Sequence, residues 1–153
     1  MFKKETDADL ILPNLWLGNY KVALNSRFLQ KYHIRYIVNI TTDIPCIDPK
    51  INYFKLRVER HDSCNIYMNP IIDQIVDFIH KGLRSGYGVL VHCKKGHHRS
   101  ASIILAYLIK YHDLSFIEGL NYIRRVRPGT LKRPACMVLN VYSYYLEKLK
   151  NTS

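Results

Sequence analysis

Acidic residues are scarce in this chain. Twelve Asp and Glu against 23 Lys and Arg leave a formal charge of +11 at pH 7. An excess of that size favours phosphorylated, acidic or polyanionic partners and says nothing about fold. No zinc-finger spacing and no RNA-binding aromatic signature accompanies the charge, so a dedicated nucleic-acid module is not indicated. No apolar run approaches the roughly 20 residues of a membrane-spanning helix, and no membrane span is expected. Met1-Phe2-Lys3-Lys4-Glu5 lacks the apolar core of a secretory signal, so the protein is expected inside a cell or in a particle assembled there. Cys46, Cys64, Cys93 and Cys136 include no C-x-x-C pair. In a reducing compartment they are expected to be free thiols. Repeats, low-complexity tracts and linkers are also missing, so residues 1–153 read as one domain with its core at about residues 10–149.

What is present is an alternation of strands and helices. Leu10-Ile11-Leu12 and Leu15-Trp16-Leu17 are short apolar strands around the turn-forming Pro13-Asn14. Asn19 is suited to cap a helix from about Tyr20 to Tyr32. Tyr36 to Ile40 and Tyr53 to Val58 read as strands. Asn69-Pro70 reads as a helix start, asparagine as cap and proline at the first helical position. Ile71, Ile72, Ile75, Val76, Phe78 and Ile79 follow at helical spacing. Val89 to His92 is a further strand, and a strongly apolar helix runs from Arg99 to about His112. Ser115 and Glu118 form a capping box for the next helix, and Pro134 opens a last one reaching Leu149. This order specifies an α/β fold with a largely parallel central sheet flanked by helices.

The chemistry concentrates between the Val89 strand and the helix after it, in His92-Cys93-Lys94-Lys95-Gly96-His97-His98-Arg99-Ser100. A thiol six residues before a guanidinium, with glycine between, suits covalent phosphoryl transfer. Cysteine is a nucleophile near neutral pH only when its pKa is depressed, and a helix N-terminus with nearby cations does this. A loop whose amides turn inward holds a phosphate dianion at the helix start, and Gly96 supplies the position without Cβ. Arg99 adds a planar two-pronged clamp. His92 is better placed to orient the loop than to transfer protons.

With this loop, the chain resembles the cysteine-dependent dual-specificity protein phosphatases. Leu12-Pro13-Asn14-Leu15-Trp16-Leu17-Gly18-Asn19 is similar to the family's opening strand and Tyr36-Ile37-Val38-Asn39-Ile40-Thr41 to its next one. Ala106-Tyr107-Leu108 and Arg127-Pro128 also fit. The resemblance covers about Leu10 to Leu149, and Leu17-Gly18-Asn19-Tyr20-Lys21 is similar to the poxvirus virion phosphatase type, which adds virion packaging to the candidate locations of cytoplasm and nucleus. It implies a protein-tyrosine-phosphatase-like fold and hydrolysis of phosphotyrosine, phosphoserine and phosphothreonine in proteins through a phosphocysteine intermediate. It also implies a role for Ser100 as the hydroxyl that bonds the thiolate, although an ordinary helix-start serine looks the same.

The general acid departs from the pattern. The family takes an aspartate from the loop after the Tyr53–Val58 strand, here Glu59-Arg60-His61-Asp62-Ser63-Cys64-Asn65-Ile66. Counting back from Ile66, the expected position falls on Arg60. Asp62, two residues later, is the first choice and Glu59 the second. Cys64 in the same loop is a weaker candidate as redox partner of Cys93.

Lys94-Lys95 and His97-His98 are a second departure, counted with His92 and Gly96 as substrate-binding residues. The lysines resemble those of phosphatases acting on phosphoinositides or inositol pyrophosphates, and the same-class alternative is a phosphatase for phosphoinositides, inositol polyphosphates or RNA 5′-triphosphate ends. A weakly active phosphate-binding module is the other alternative. Adjacent histidines rarely converge on one ion, and neither metal nor cofactor is expected. Arg124-Arg125-Val126-Arg127 with Lys132-Arg133 reads either as a second anion-binding cluster or as a solvated helix end. Oligomeric state is left open.

Overall fold

The computed structural model describes residues 6–58, 67–132 and 135–152. Among the described residues, five strands form one sheet in the order β1-β2-β5-β3-β4. They are β1 (Ala8–Leu12), β2 (Leu15–Gly18), β3 (Ile34–Asn39), β4 (Asn52–Lys55) and β5 (Gly88–His92). Only the β1–β2 hairpin is antiparallel; β2–β5, β5–β3 and β3–β4 are parallel. The helices are α1 (Tyr20–Ala23), α2 (Ser26–Lys31), α3 (Asn69–Arg84), α4 (Arg99–Tyr111), α5 (Phe116–Val126) and α6 (Cys136–Thr152). The expected α/β architecture with a largely parallel sheet is the one found.

Burial on both faces explains the sequence of the central strand. All five residues of β5 are buried, as both-face burial requires of a parallel strand. Val89 and Val91 face the larger core beneath α3, α4 and α6. Leu90 faces a smaller one with Val22, Leu29 and Ile37, sealed by Trp16, Phe28 and Tyr32. Helix α4 is buried from Ser100 to Ile109, consistent with an apolar helix laid across the sheet. Asp73 of α3 ties this layer together. It accepts hydrogen bonds from Lys110 of α4 at 2.9 Å and from Tyr144 and Lys148 of α6 at 2.7 and 3.2 Å.

Four local expectations need correction. The helix expected from Tyr20 to Tyr32 is two helices. Asn25 interrupts it, its side chain accepting from Phe28 N–H to cap α2, because asparagine bonds to nearby backbone better than it extends a helix. Asn69 does not cap α3: the helix begins at Asn69 itself, after Met68, and its amide donates to Glu147 of α6. Strand β4 ends at Lys55, short of Val58: Leu56 N–H still pairs with Asn39 O, but Val58 N–H folds back onto Leu56 O. The cysteines are not all free: Cys46 and Cys93 are, whereas Cys136 is disulfide-bonded, its partner lying outside the described residues. Asn19, in contrast, caps α1 as expected, and Ser115 with Glu118 forms the capping box of α5.

Candidate active site

Strand register fixes where the loop sits. Gly18 ends β2 and pairs with His92, the end of β5; Asn39, the end of β3, pairs with His92 from the other side. Three parallel strands therefore stop at one level, and the chain leaves β5 there at Cys93. That is the carboxyl edge of an open α/β sheet, where such folds bind ligands. The chain re-enters regular structure at Arg99, so the residues from Cys93 to His98 curl over the N-terminus of α4.

The orientation of this loop follows from its carbonyls. Lys94 O accepts from Tyr20 N–H at 3.1 Å. Lys95 O and Gly96 O accept from the Arg127 guanidinium at 3.3 and 2.9 Å. His97 O accepts from Leu131 N–H at 2.8 Å. His98 O accepts from the Ser102 hydroxyl at 2.6 Å. Five successive carbonyls are thus engaged. A trans peptide sets its N–H opposite its C=O, so the following amides are turned away from these anchors. The Gly96 amide shows the outcome: it donates to Cys93 Sγ at 3.2 Å. Gly96 has φ +76°, and a Cβ there would lie 2.6 Å from Gly18 O. Only glycine meets both demands.

Cys93 is 3% exposed, and its Sγ lies 3.1 Å from Ser100 Oγ. Burial pushes its thiol pKa up. The Ser100 side-chain hydrogen bond, the Ser100 and Gly96 amides and the Arg99 charge outweigh that, leaving the pKa below the ordinary thiol value. His92 is buried behind the loop with Nδ1 3.1 Å from Cys93 O. A carbonyl only accepts, so Nδ1 carries the proton. Burial lowers the His92 pKa to about 4, with Lys55 and Arg99 adding to the shift, and the ring is neutral at pH 7. Arg99 Nη1 donates to Val58 O at 2.9 Å. Lys94 and Lys95 are exposed, and Lys94 Nζ lies 3.8 Å from Asp43. His97 and His98 are half-buried. The fold therefore brings together Cys93, Gly96, Arg99 and Ser100, with His92 beneath and the lysines at the rim. Asp62, Glu59 and Cys64 lie outside the described residues.

A family model described as the dual specificity phosphatase catalytic domain matches residues 15–144. The chain belongs to the dual specificity phosphatases. Human dual specificity protein phosphatase 16 is 38% identical over 143 residues, covering 92% of this chain and 21% of the human protein. Dual specificity protein phosphatase 1 of Arabidopsis thaliana is 31% identical over 128 residues, covering 83% of this chain and 64% of the plant protein. The chain thus spans less than two thirds of either relative. The crystal structure of human DUSP28 superimposes with a TM-score of 0.85, covering 96% of this chain and 97% of that one at 22% identity, a likeness of fold.

Within this phosphatase domain, the structure corrects the role expected of one residue. Arg127 is not part of an open basic cluster: it is 2% exposed. Besides the two loop carbonyls, its Nη1 donates to Thr6 O and Asp9 Oδ2, each at 2.9 Å. Buried guanidinium requires such partners. The signal available in the sequence was Arg127-Pro128 within the resemblance; its partner Asp9 lies 118 positions away. Arg124 is also engaged, donating to Leu131 O, while Arg125 and Lys132 are exposed. Arg133 lies outside the described residues.

Proposed function

We propose that this chain hydrolyses phosphomonoesters on proteins, at tyrosine and at serine or threonine, through a phosphocysteine. The observation that carries the reading is the pairing of Cys93 Sγ with the Ser100 hydroxyl and Gly96 amide inside a loop whose carbonyls point outward. In the first step the Cys93 thiolate attacks phosphorus, forming the S–P bond as the P–O bond to the leaving group breaks. Arg99 and the inward amides stabilise the charge on the equatorial oxygens. Asp62 donates the proton that the leaving phenolate or alkoxide takes up. Water then attacks phosphorus and gives its proton to the Asp62 carboxylate. The S–P bond breaks and inorganic phosphate leaves, with Ser100 stabilising the returning thiolate.

The exposed Lys94 and Lys95 favour a second reading, a substrate with several phosphates such as a phosphoinositide, an inositol polyphosphate or an RNA 5′-triphosphate end. One substrate panel separates the two. Matched phosphopeptides should be turned over faster than the polyphosphorylated compounds; the opposite order replaces the first reading with the second. Cys93→Ser should reduce every substrate to background, including an activated aryl phosphate, and retained turnover would refute the covalent route. Asp62→Asn should slow phosphopeptide turnover by ~10²–10⁴-fold, the contribution of a positioned acid–base group. Glu59→Gln should have little effect; a reversed result reassigns the acid to Glu59.

A further inference from the structure

Beyond the end of β3 the chain stays beside the phosphate loop. Ile40 N–H donates to His92 O at 3.0 Å, so the residues that follow leave the sheet next to Cys93. They form a tight bend over residues 42–44, and buried polar side chains hold it. Asn39 and Thr41 are both 0% exposed, and the Thr41 hydroxyl donates to Asn39 Oδ1 at 2.6 Å. Thr41 Oγ1 in turn accepts from Ile44 N–H at 3.2 Å. Ile44 O accepts from Asn39 Nδ2 at 2.8 Å and from Lys55 Nζ at 2.5 Å. Both polar groups of the Ile44 backbone are engaged, which fixes the residue before it. That residue is Asp43, and its carboxylate lies 3.8 Å from Lys94 Nζ. A chain with 12 acidic residues against 23 basic ones thus sets a carboxylate against the first lysine of its phosphate loop.

Stability does not explain the pair. The side chains of Lys94 and Asp43 are 59% and 61% exposed, and an ion pair so exposed contributes little to folding. What it changes is the field that an incoming anion meets. An ammonium beside a carboxylate offers no net charge to a second phosphate, and the carboxylate repels that phosphate directly. Repulsion of the wrong ligand is an ordinary route to specificity. We propose that Asp43 is a specificity-determining residue: it withholds Lys94 from the substrate and so selects phosphomonoesters with no second phosphate close to the reacting one. The inference rests on the reading of the site as a phosphomonoesterase and deepens it.

Two matched substrate pairs test this. One is a phosphotyrosine peptide and the same peptide with a phosphothreonine nearby; the other is an inositol monophosphate and a bisphosphate with adjacent phosphates. In Asp43→Asn the ratio of kcat/KM for the doubly to the singly phosphorylated member should rise about 3–10-fold, the effect of one charge on a phosphate dianion some 6–10 Å away in water. Asp43→Glu should keep the wild-type ratio. The rise should vanish at about 1 M salt, where charges are screened within about 3 Å. In a Lys94→Gln background Asp43→Asn should raise the ratio by less, because the lysine it would release is gone. A ratio unmoved in both pairs overturns the inference, as does a rise of the same size at high salt or in the Lys94→Gln background. A wild-type chain that hydrolyses the inositol phosphates but neither peptide overturns the protein-phosphatase reading instead, and the second pair then decides the inference by itself.

Discussion

Burial alone would make the Cys93 thiol a poor nucleophile. What reverses the effect is local and can be removed one group at a time. Ser100→Ala deletes the first of the hydrogen bonds that lower its pKa, so alkylation by iodoacetamide should show its pH inflection at a higher value in the variant than in the wild type. An unmoved inflection would take Ser100 out of thiolate stabilisation. Arg127 works at one remove, through the carbonyls of Lys95 and Gly96. Replacing it by methionine leaves Asp9 short of its partner and two loop carbonyls unanchored. Losing one side of a buried pair costs about 3–5 kcal/mol, measurable as a lower urea midpoint. Inhibition by orthovanadate, a phosphate mimic, should weaken in parallel in Arg127→Met. Undiminished vanadate affinity would confine Arg127 to the scaffold.

At the scale of elements, β5 and α4 meet at a buried imidazole. His92 binds a proton below about 6.5 in an unfolded chain but only below about 4 when folded. Between those values the unfolded state holds more protons, so stability is complete above about 6.5 and declines as pH falls toward about 4. The loss across the window is about 3 kcal/mol, and urea unfolding at several pH values should show it in the wild type and much less in His92→Asn. The strands, the main helices and the phosphate loop were legible in the sequence because each is specified locally. Apolar periodicity marks β5 and α4, and Ser115 with Glu118 marks the start of α5. Errors arose where a distant residue decides. Asn69 resembles a cap until Glu147 of α6 claims its amide. Arg127 resembles a solvated helix end until Asp9 arrives from the other end of the chain. Between Tyr20 and Tyr32 the deciding residue is nearer: Asn25 accepts from Phe28 N–H and so divides the run into two helices.

For the whole molecule, the decisive quantity is the charge of +11. The exposed Lys94 and Lys95 at the loop and Arg125 and Lys132 beyond it place part of that charge where an anionic substrate would approach. Long-range attraction of this kind is screened within about 10 Å at 0.1 M salt. The kcat/KM for an acidic phosphopeptide should therefore fall as ionic strength rises, and the fall should be shallower for a small aryl phosphate whose only charge is that of its phosphate. Equal slopes for the two would remove steering from the account.

The guanidinium of Arg127 also sets an order in time. It joins carbonyls at Lys95 and Gly96 to Thr6 and Asp9, contacts spanning up to 121 positions of sequence. Contacts so far apart form late, because a long loop must close first. A nascent chain that has emerged only as far as Ser100 already contains the thiol, the arginine and the serine, but not the residue that anchors their loop. The site is completed only after α5 is synthesised and the first strand has found it, so recovery of phosphate binding during refolding should follow the slowest structural phase rather than the formation of the sheet.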